Sequence, residues 1–210
     1  MHLVILFFAT YFSSFGASVI PGLLNMNAAK ISAEKGKKFA VYFSVGVCSI
    51  IALQAYLAVH ISKFLFKNKH IIVYLMETAL VIFAILAVYF FLHAKAKAGA
   101  EKKVKYISVS RRNSFFKGML LGVLNLLTLP FYCGLNATWK VSGWIKFQWQ
   151  DTLIFVISAA LGTFSILYVY IFYFHKLELK SKSFTRYSDY IMGVLMVLLM
   201  LFTLIKLYYH

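Results

Sequence analysis

Few side chains in this 210-residue chain could do chemistry, and their positions limit what that chemistry is. Glu77 is an acid inside the long apolar stretch Ile71–Leu92. A carboxylate in such a place can exchange a proton and so couple proton movement to another event. Equally, it can bond a neighbouring helix or reach water, since it lies only ~9 Å along a helix from Ile71. The six histidines, His2, His60, His70, His93, His175 and His210, all stand at or just beyond the ends of apolar stretches, with no HExxH-type spacing. Cys48 and Cys133 each fall inside an apolar stretch and read as small packing residues. The chain has only six acids, which leaves no paired-carboxylate site. Hydrolytic chemistry and metal cargo are therefore disfavoured, the chain is not expected to be an enzyme, and no cofactor or resident metal is expected.

The more informative residues are backbone breakers set among amides. The chain has two prolines. Pro21 stands in Ile20-Pro21-Gly22-Leu23-Leu24-Asn25-Met26-Asn27, and Pro130 follows Asn125 and Thr128 in Gly122-Val123-Leu124-Asn125-Leu126-Leu127-Thr128-Leu129-Pro130. A proline inside a helix removes a donor and clashes with the preceding turn. In lipid the carbonyls it frees need other partners or must line a cavity. One such proline is most often a packing kink. Two in corresponding helices are a pointer to a transporter's central site. The residues expected along a substrate path are Pro21, Gly22, Asn25, Asn27, Asn125, Thr128 and Pro130, with Glu77 as the candidate for proton coupling. Gln54 and Asn136 are further buried amides whose ordinary use is to bond helix to helix.

The elements that must position these residues are membrane spans. Hydrophobic residues make up 62% of the chain and the mean hydropathy is +0.80. Crossing the hydrocarbon takes about 20 apolar residues as helix. Six stretches qualify: Leu3–Ala29, Phe39–Ile61, Ile71–Leu92, Gly118–Trp139, Thr152–Phe174 and the shorter Tyr190–Ile205, which Lys206 could extend by snorkelling. Helix is required because backbone groups in lipid must be satisfied within the segment. Leu3–Ala29 has 27 residues without a charge, about 40 Å if continuous, so the first span is expected to break near Pro21-Gly22. Asp189, at the start of the last stretch, suits the helix dipole. The N-terminus lacks the basic flank and cleavage site of a secretory signal, and is expected to be the first span.

Segment 94–115 is the one long basic linker. It divides the single membrane domain into halves 1–93 and 116–210, each with three spans. Three is odd, so the second half enters the membrane from the opposite side. The expected fold is an all-α integral membrane protein of six transmembrane helices in two inverted three-helix halves.

Of the 22 Lys and Arg, 16 lie in the first, third and fifth loops. The positive-inside rule puts those loops in the cytoplasm and both termini outside. Trp139, Trp144 and Trp149 gather at the fourth loop, as expected at an outer interface. The formal net charge of +16 is thereby explained by anionic lipid, not nucleic acid. The partners expected are the lipid bilayer, a small-molecule substrate, a proton or other cation for coupling, and a possible second copy of the chain.

The ordered set of these features resembles the LysE-type (lysine exporter) amino-acid efflux family over nearly the whole chain. The similar elements are Gly16-Ala17-Ser18-Val19-Ile20-Pro21-Gly22, then Asn25, Gly36-Lys37-Lys38 and Gly46, and later Phe115, Gly118 and Asn125, Gly162 and Gly193. The family's Pro-Gly-Pro here ends in Leu23, and its Asn-Pro-Lys is Asn125-Leu126-Leu127 with Pro130 displaced. The resemblance implies a divergent exporter of amino acids or related small metabolites in the bacterial cytoplasmic (inner) membrane. A non-transporting membrane subunit or assembly factor on the same fold is the alternative, and the altered motifs keep it open.

Overall fold

The computed structural model describes residues 2–19, 22–68, 111–125 and 127–173, with isolated helical residues between 71 and 92 and between 194 and 205. Among the described residues six helices follow in order: α1 His2–Val19, α2 Leu23–Lys35, α3 Lys37–Lys67, α4 Arg111–Leu124, α5 Thr128–Val141 and α6 Trp149–Tyr173. Among the described residues there is no strand. Helices α1, α3 and α6, of 18, 31 and 25 residues, are each long and apolar enough to cross a membrane. Helices α4 and α5 reach that length only together, bent by 64° at the residues between them. The chain is thus an all-helical membrane protein with three or four candidate spans among the described residues. Most of Ile71–Leu92 and Tyr190–Ile205, Glu77 and Asp189 included, lies outside them. Helix α4 begins at Arg111, so the last five residues of the expected linker, 111–115, are helical.

The chain gathers into two compact units, Met1–Phe64 with Ile107–Glu178, and Leu65–Tyr106 with Leu179–His210. The first unit draws helices from both expected halves. Within it, α1 runs parallel to α6, because His2 meets Asp151, Tyr11 meets Ser165 and Val19 meets Tyr170 in the same order. Helix α5 returns to α6 through the short loop 142–148, so it runs antiparallel to both.

In lipid, helices gain little from hiding apolar surface against one another and associate by close packing of small residues. That rule accounts for the two tight seams of this unit. On α3 and α4, Gly46 and Gly118 approach reciprocally: a Cβ at Gly46 would strike the carbonyl of Phe115, and one at Gly118 the carbonyl of Phe43. On α6, a Cβ at Gly162 would stand 2.5 Å from the carbonyl oxygen of Tyr11. The buried stripe of α1 is Leu6, Thr10 and Ser14, at the four-residue spacing that puts them on one face. Its opposite face carries exposed Val4, Phe8 and Phe12, as a lipid-facing surface should.

Candidate translocation site

Each broken helix leaves carbonyls at the end of its first segment without an intrahelical donor. At the first break α1 ends at Val19, and Gly22 is extended, with φ −117° and ψ −170°, before α2 begins. Pro21 lies outside the described residues. Two side chains take up the orphaned carbonyls. Asn25 Nδ2 donates to Ser18 O at 2.6 Å, and Tyr170 Oη donates to Val19 O at 2.8 Å. Asn25 and Tyr170 are also hydrogen-bonded to each other. Both are buried, at 5% and 2% exposed. Asn27, two residues on, faces elsewhere and donates to Leu23 O of its own helix at 2.8 Å. Of the two asparagines that follow Gly22, only Asn25 bonds a carbonyl of the break.

The second break follows the same logic with a different locus. Helix α4 ends at Leu124, and Asn125 is not helical. Gly122 O accepts the Asn125 N–H at 3.2 Å and Gln54 Nε2 of α3 at 3.3 Å. Pro130 follows this break. It is the third residue of α5 and exposed. A proline excludes the hydrogen bond to the carbonyl four residues back and clashes with it, so a helix restarts with the proline in its first turn, where no donor is needed. The interruption expected at Pro130 therefore falls about one turn earlier, beginning at Asn125.

Between the breaks and the far end of the unit runs a buried polar seam on α1, α5 and α6. Thr128, Tyr132 and Asn136 form the buried face of α5, four residues apart. Ser14 Oγ donates to Tyr132 Oη at 3.2 Å, and Thr163 of α6 also bonds that phenol. Phe155 packs edge-on against the Tyr132 ring, 5.8 Å between centroids. Because α1 and α5 are antiparallel, one turn beyond the Ser14–Tyr132 contact the register brings Thr10 level with Asn136. Asn136 Nδ2 donates to Tyr132 O at 2.8 Å, which fixes the amide and leaves Oδ1 as an acceptor. Neither Asn136 Oδ1 nor Thr10 Oγ1 has a hydrogen-bond partner among the described residues, and both residues are 0% exposed. Leaving such atoms unmet in an apolar interior costs on the order of 1–3 kcal/mol each. The seam can therefore receive a group that donates hydrogen bonds.

The unit's two ends differ in charge. At one end lie Lys30, Glu34, Lys35, Lys37, Arg111 and Lys117, with Lys30 and Glu34 paired at 3.7 Å. Lys117 stands just before the apolar stretch Gly118–Trp139. Its burial, then the neighbouring Lys35 and Lys30 ammonium groups, hold its pKa below the ordinary lysine value, against a smaller opposing pull from Glu34. At the other end Asp151, third residue of α6, is fully buried. Its Oδ2 accepts the N–H of Lys146 at 2.7 Å and of Gln148 at 3.3 Å, and its Oδ1 lies 3.3 Å from His2 Nε2. The residue between those two amides, Phe147, has φ +60°, a left-handed conformation that costs a bulky side chain of order 1–3 kcal/mol. Phe147 walls a cleft of about 290 Å³ with Tyr56, His60, Lys63, Trp149 and Thr152.

Asp151 and the Thr10–Asn136 level were not singled out as site residues by sequence reasoning. The four-residue spacing of Thr128, Tyr132 and Asn136 carried a readable signal for the α5 face. Nothing local marked Thr10 or Asp151, whose roles arise from helices distant in sequence. Among the described residues, no three His, Cys, Asp or Glu side chains are grouped to hold a metal ion.

A sequence model of the LysE type translocators matches residues 15–207. No curated protein matches the chain, and no solved structure does.

Proposed function

The chain belongs to the LysE type translocator family, and from that premise we propose that it is a secondary active transporter exporting amino acids or related small metabolites across the bacterial cytoplasmic membrane. The observation that carries this reading is the pair of broken helices joined to a buried polar seam. A packing kink needs its freed carbonyls capped, and both breaks have that. It does not need a run of buried hydroxyls and amides ending in a threonine hydroxyl and an amide oxygen that lack partners among the described residues. A path for a polar solute does, because the solute must exchange water for fixed hydrogen-bonding groups at the midplane.

On this reading Gly22, Asn25, Asn125 and Thr128 line the path, with Pro21, Asn27 and Pro130 flanking it and shaping the two breaks. Thr10, Ser14, Tyr132 and Asn136 extend it along the bundle. Glu77 is the proposed proton-coupling carboxylate. The six expected spans form two inverted halves, 1–93 and 116–210, with loops one, three and five cytoplasmic and both termini outside. Alternating access then amounts to rocking about the two breaks, where α1 gives way to α2 and α4 to α5.

Comparing the metabolites released by cells with and without the gene tests the proposal. An amino acid or close relative should accumulate outside only where the gene is present, and Asn136→Leu should abolish that difference. Identical release profiles, with the protein recovered in a stable complex with a larger membrane partner, would instead identify a non-transporting subunit.

A further inference from the structure

The end of the unit that carries His2 holds a cleft the transport path does not use. Its walls come from α3 and α6, which run antiparallel. Lys37 lies over Phe172 at one end, and Tyr56, His60 and Lys63 share the cleft with Trp149 and Leu153 at the other. Phe147 supplies a further wall. Its backbone is left-handed, with φ +60°. A bulky residue keeps that conformation only where its surroundings over-determine it, and such strain gathers at ligand clamps. Here Asp151 Oδ2 fixes the amides on either side, Lys146 N–H at 2.7 Å and Gln148 N–H at 3.3 Å, and so supports the wall.

The chemistry of the cleft is two-sided. Tyr56, Phe147, Trp149 and Leu153 are aromatic or apolar, while His60 and Lys63 carry basic groups. His60 Nδ1 lies 3.1 Å from Tyr56 O. A carbonyl only accepts, so Nδ1 holds a proton and Nε2 is left to meet a ligand. Lys63 is exposed, and among the described residues no carboxylate pairs with it. Lys140 adds a cation 5.5 Å from the Phe147 ring. The acid at this end, Asp151, is fully buried with both oxygens engaged, so a ligand entering the cleft meets only basic groups. Away from them the walls continue as two exposed apolar rows, Tyr56 and Leu53 on α3, and Trp149, Leu153, Ile157 and Leu161 on α6. Trp149 is 70% exposed, and tryptophan prefers the headgroup level of a bilayer. The basic groups therefore stand where lipid phosphates are, with the apolar rows leading into hydrocarbon.

We propose that this cleft binds an anionic phospholipid, with the phosphate on Lys63 and His60 Nε2 and the acyl chains along Leu53, Leu153 and Ile157. An aromatic cage alone would suit a quaternary ammonium. The two basic groups inside this one decide for an anion, because the ammonium of a zwitterionic lipid would stand among cations. A basic side chain at the headgroup level contributes about 1 kcal/mol, or roughly fivefold in affinity. The bound lipid ties α3 to the first turn of α6 and to the loop that carries Phe147. The site does not depend on the cargo, and it stands or falls separately from export.

Trp149 reports on its own cleft. The full chain, carrying Trp139→Phe and Trp144→Phe so that Trp149 alone emits, is reconstituted in phosphatidylcholine vesicles. These hold an equal minor fraction of either brominated phosphatidylglycerol or brominated phosphatidylcholine. The anionic quencher should act severalfold more strongly than the zwitterionic one. Lys63→Ala should weaken that preference roughly fivefold, the share of one cation. Lys38→Ala, an exposed lysine at the opposite end of α3, should leave it unchanged. High salt should shrink the preference by screening. Equal quenching by the two lipids overturns the proposal, as does a Lys63→Ala protein with an undiminished preference. Relief of quenching by dissolved glycerol phosphate would assign the site to a soluble anion and overturn the lipid as its occupant. The wild-type chain, with all three tryptophans, must show the same contrast at smaller amplitude, which keeps the test decisive if the double variant fails to fold.

Discussion

Tyr170→Phe removes one oxygen and leaves the ring in place, which makes it the cleanest probe of how the first break is held. Val19 is the last residue of α1, so its carbonyl has no donor within the helix. Tyr170 Oη supplies that donor at 2.8 Å, in a residue 2% exposed. Without it the carbonyl is buried and unmet, a loss of about 1–3 kcal/mol. For a chain of this size each kcal/mol moves a melting midpoint by roughly 2–4 °C, so the variant should melt ~2–12 °C lower in detergent. Asn25→Ala deprives Ser18 O of its 2.6 Å donor and should cost a similar amount. Because Asn25 and Tyr170 share a hydrogen bond, the double variant should lose less than the sum of the two, with a coupling of about 0.5–3 kcal/mol. Light-scattering melts of the four proteins measure all these quantities. A Tyr170→Phe protein that melts with the wild type, or single losses that add without coupling, would refute the view that these side chains cap the break.

The other predictions concern packing, the seam and the prolines. Gly118→Val should prevent assembly of α3 on α4, at a cost of about 3 kcal/mol or more, because the obstacle is the Phe43 backbone carbonyl and not a movable side chain. Gly134→Ala, with nothing within 4 Å of the added carbon, should leave the size-exclusion profile unchanged. Asn136→Leu removes a buried acceptor that lacks a donor among the described residues, so the protein should melt no lower than wild type while transport is lost; retained transport would exclude Asn136 from the path. Pro130→Ala should change stability by less than about 1 kcal/mol, since the exposed proline occupies a first-turn position whose donor is not needed. A larger change in a denaturation series would contradict that placement.

Sequence and structure agree where the length of an apolar stretch decides the outcome. The first break was readable because 27 uncharged residues exceed one span and Pro21-Gly22 supplies a place to stop. The second lies about one turn before Pro130, because a proline excludes the hydrogen bond to the carbonyl four residues back. Helix α5 accordingly begins two residues before it. Sequence spacing could not separate Asn25 from Asn27 either. They lie two residues apart and face different ways, and only the break at Gly22 decides which one reaches the open carbonyls. Nothing in the local sequence sets Asp151 apart. Its burial comes from His2, 149 positions away, and from a turn that folds back onto its carboxylate. The polar seam depends on the antiparallel register of α1 and α5, which no local pattern encodes.

The central claim is that the chain itself moves a small polar metabolite. The direct measurement is flux from proteoliposomes containing only the purified protein, loaded with the metabolite identified by the cell comparison, under an imposed proton gradient. Wild-type vesicles should release it faster than empty ones, Asn136→Leu vesicles should not, and Glu77→Gln should remove the dependence on the gradient. Release no faster than from empty vesicles, by a protein that is folded and inserted, would contradict the claim.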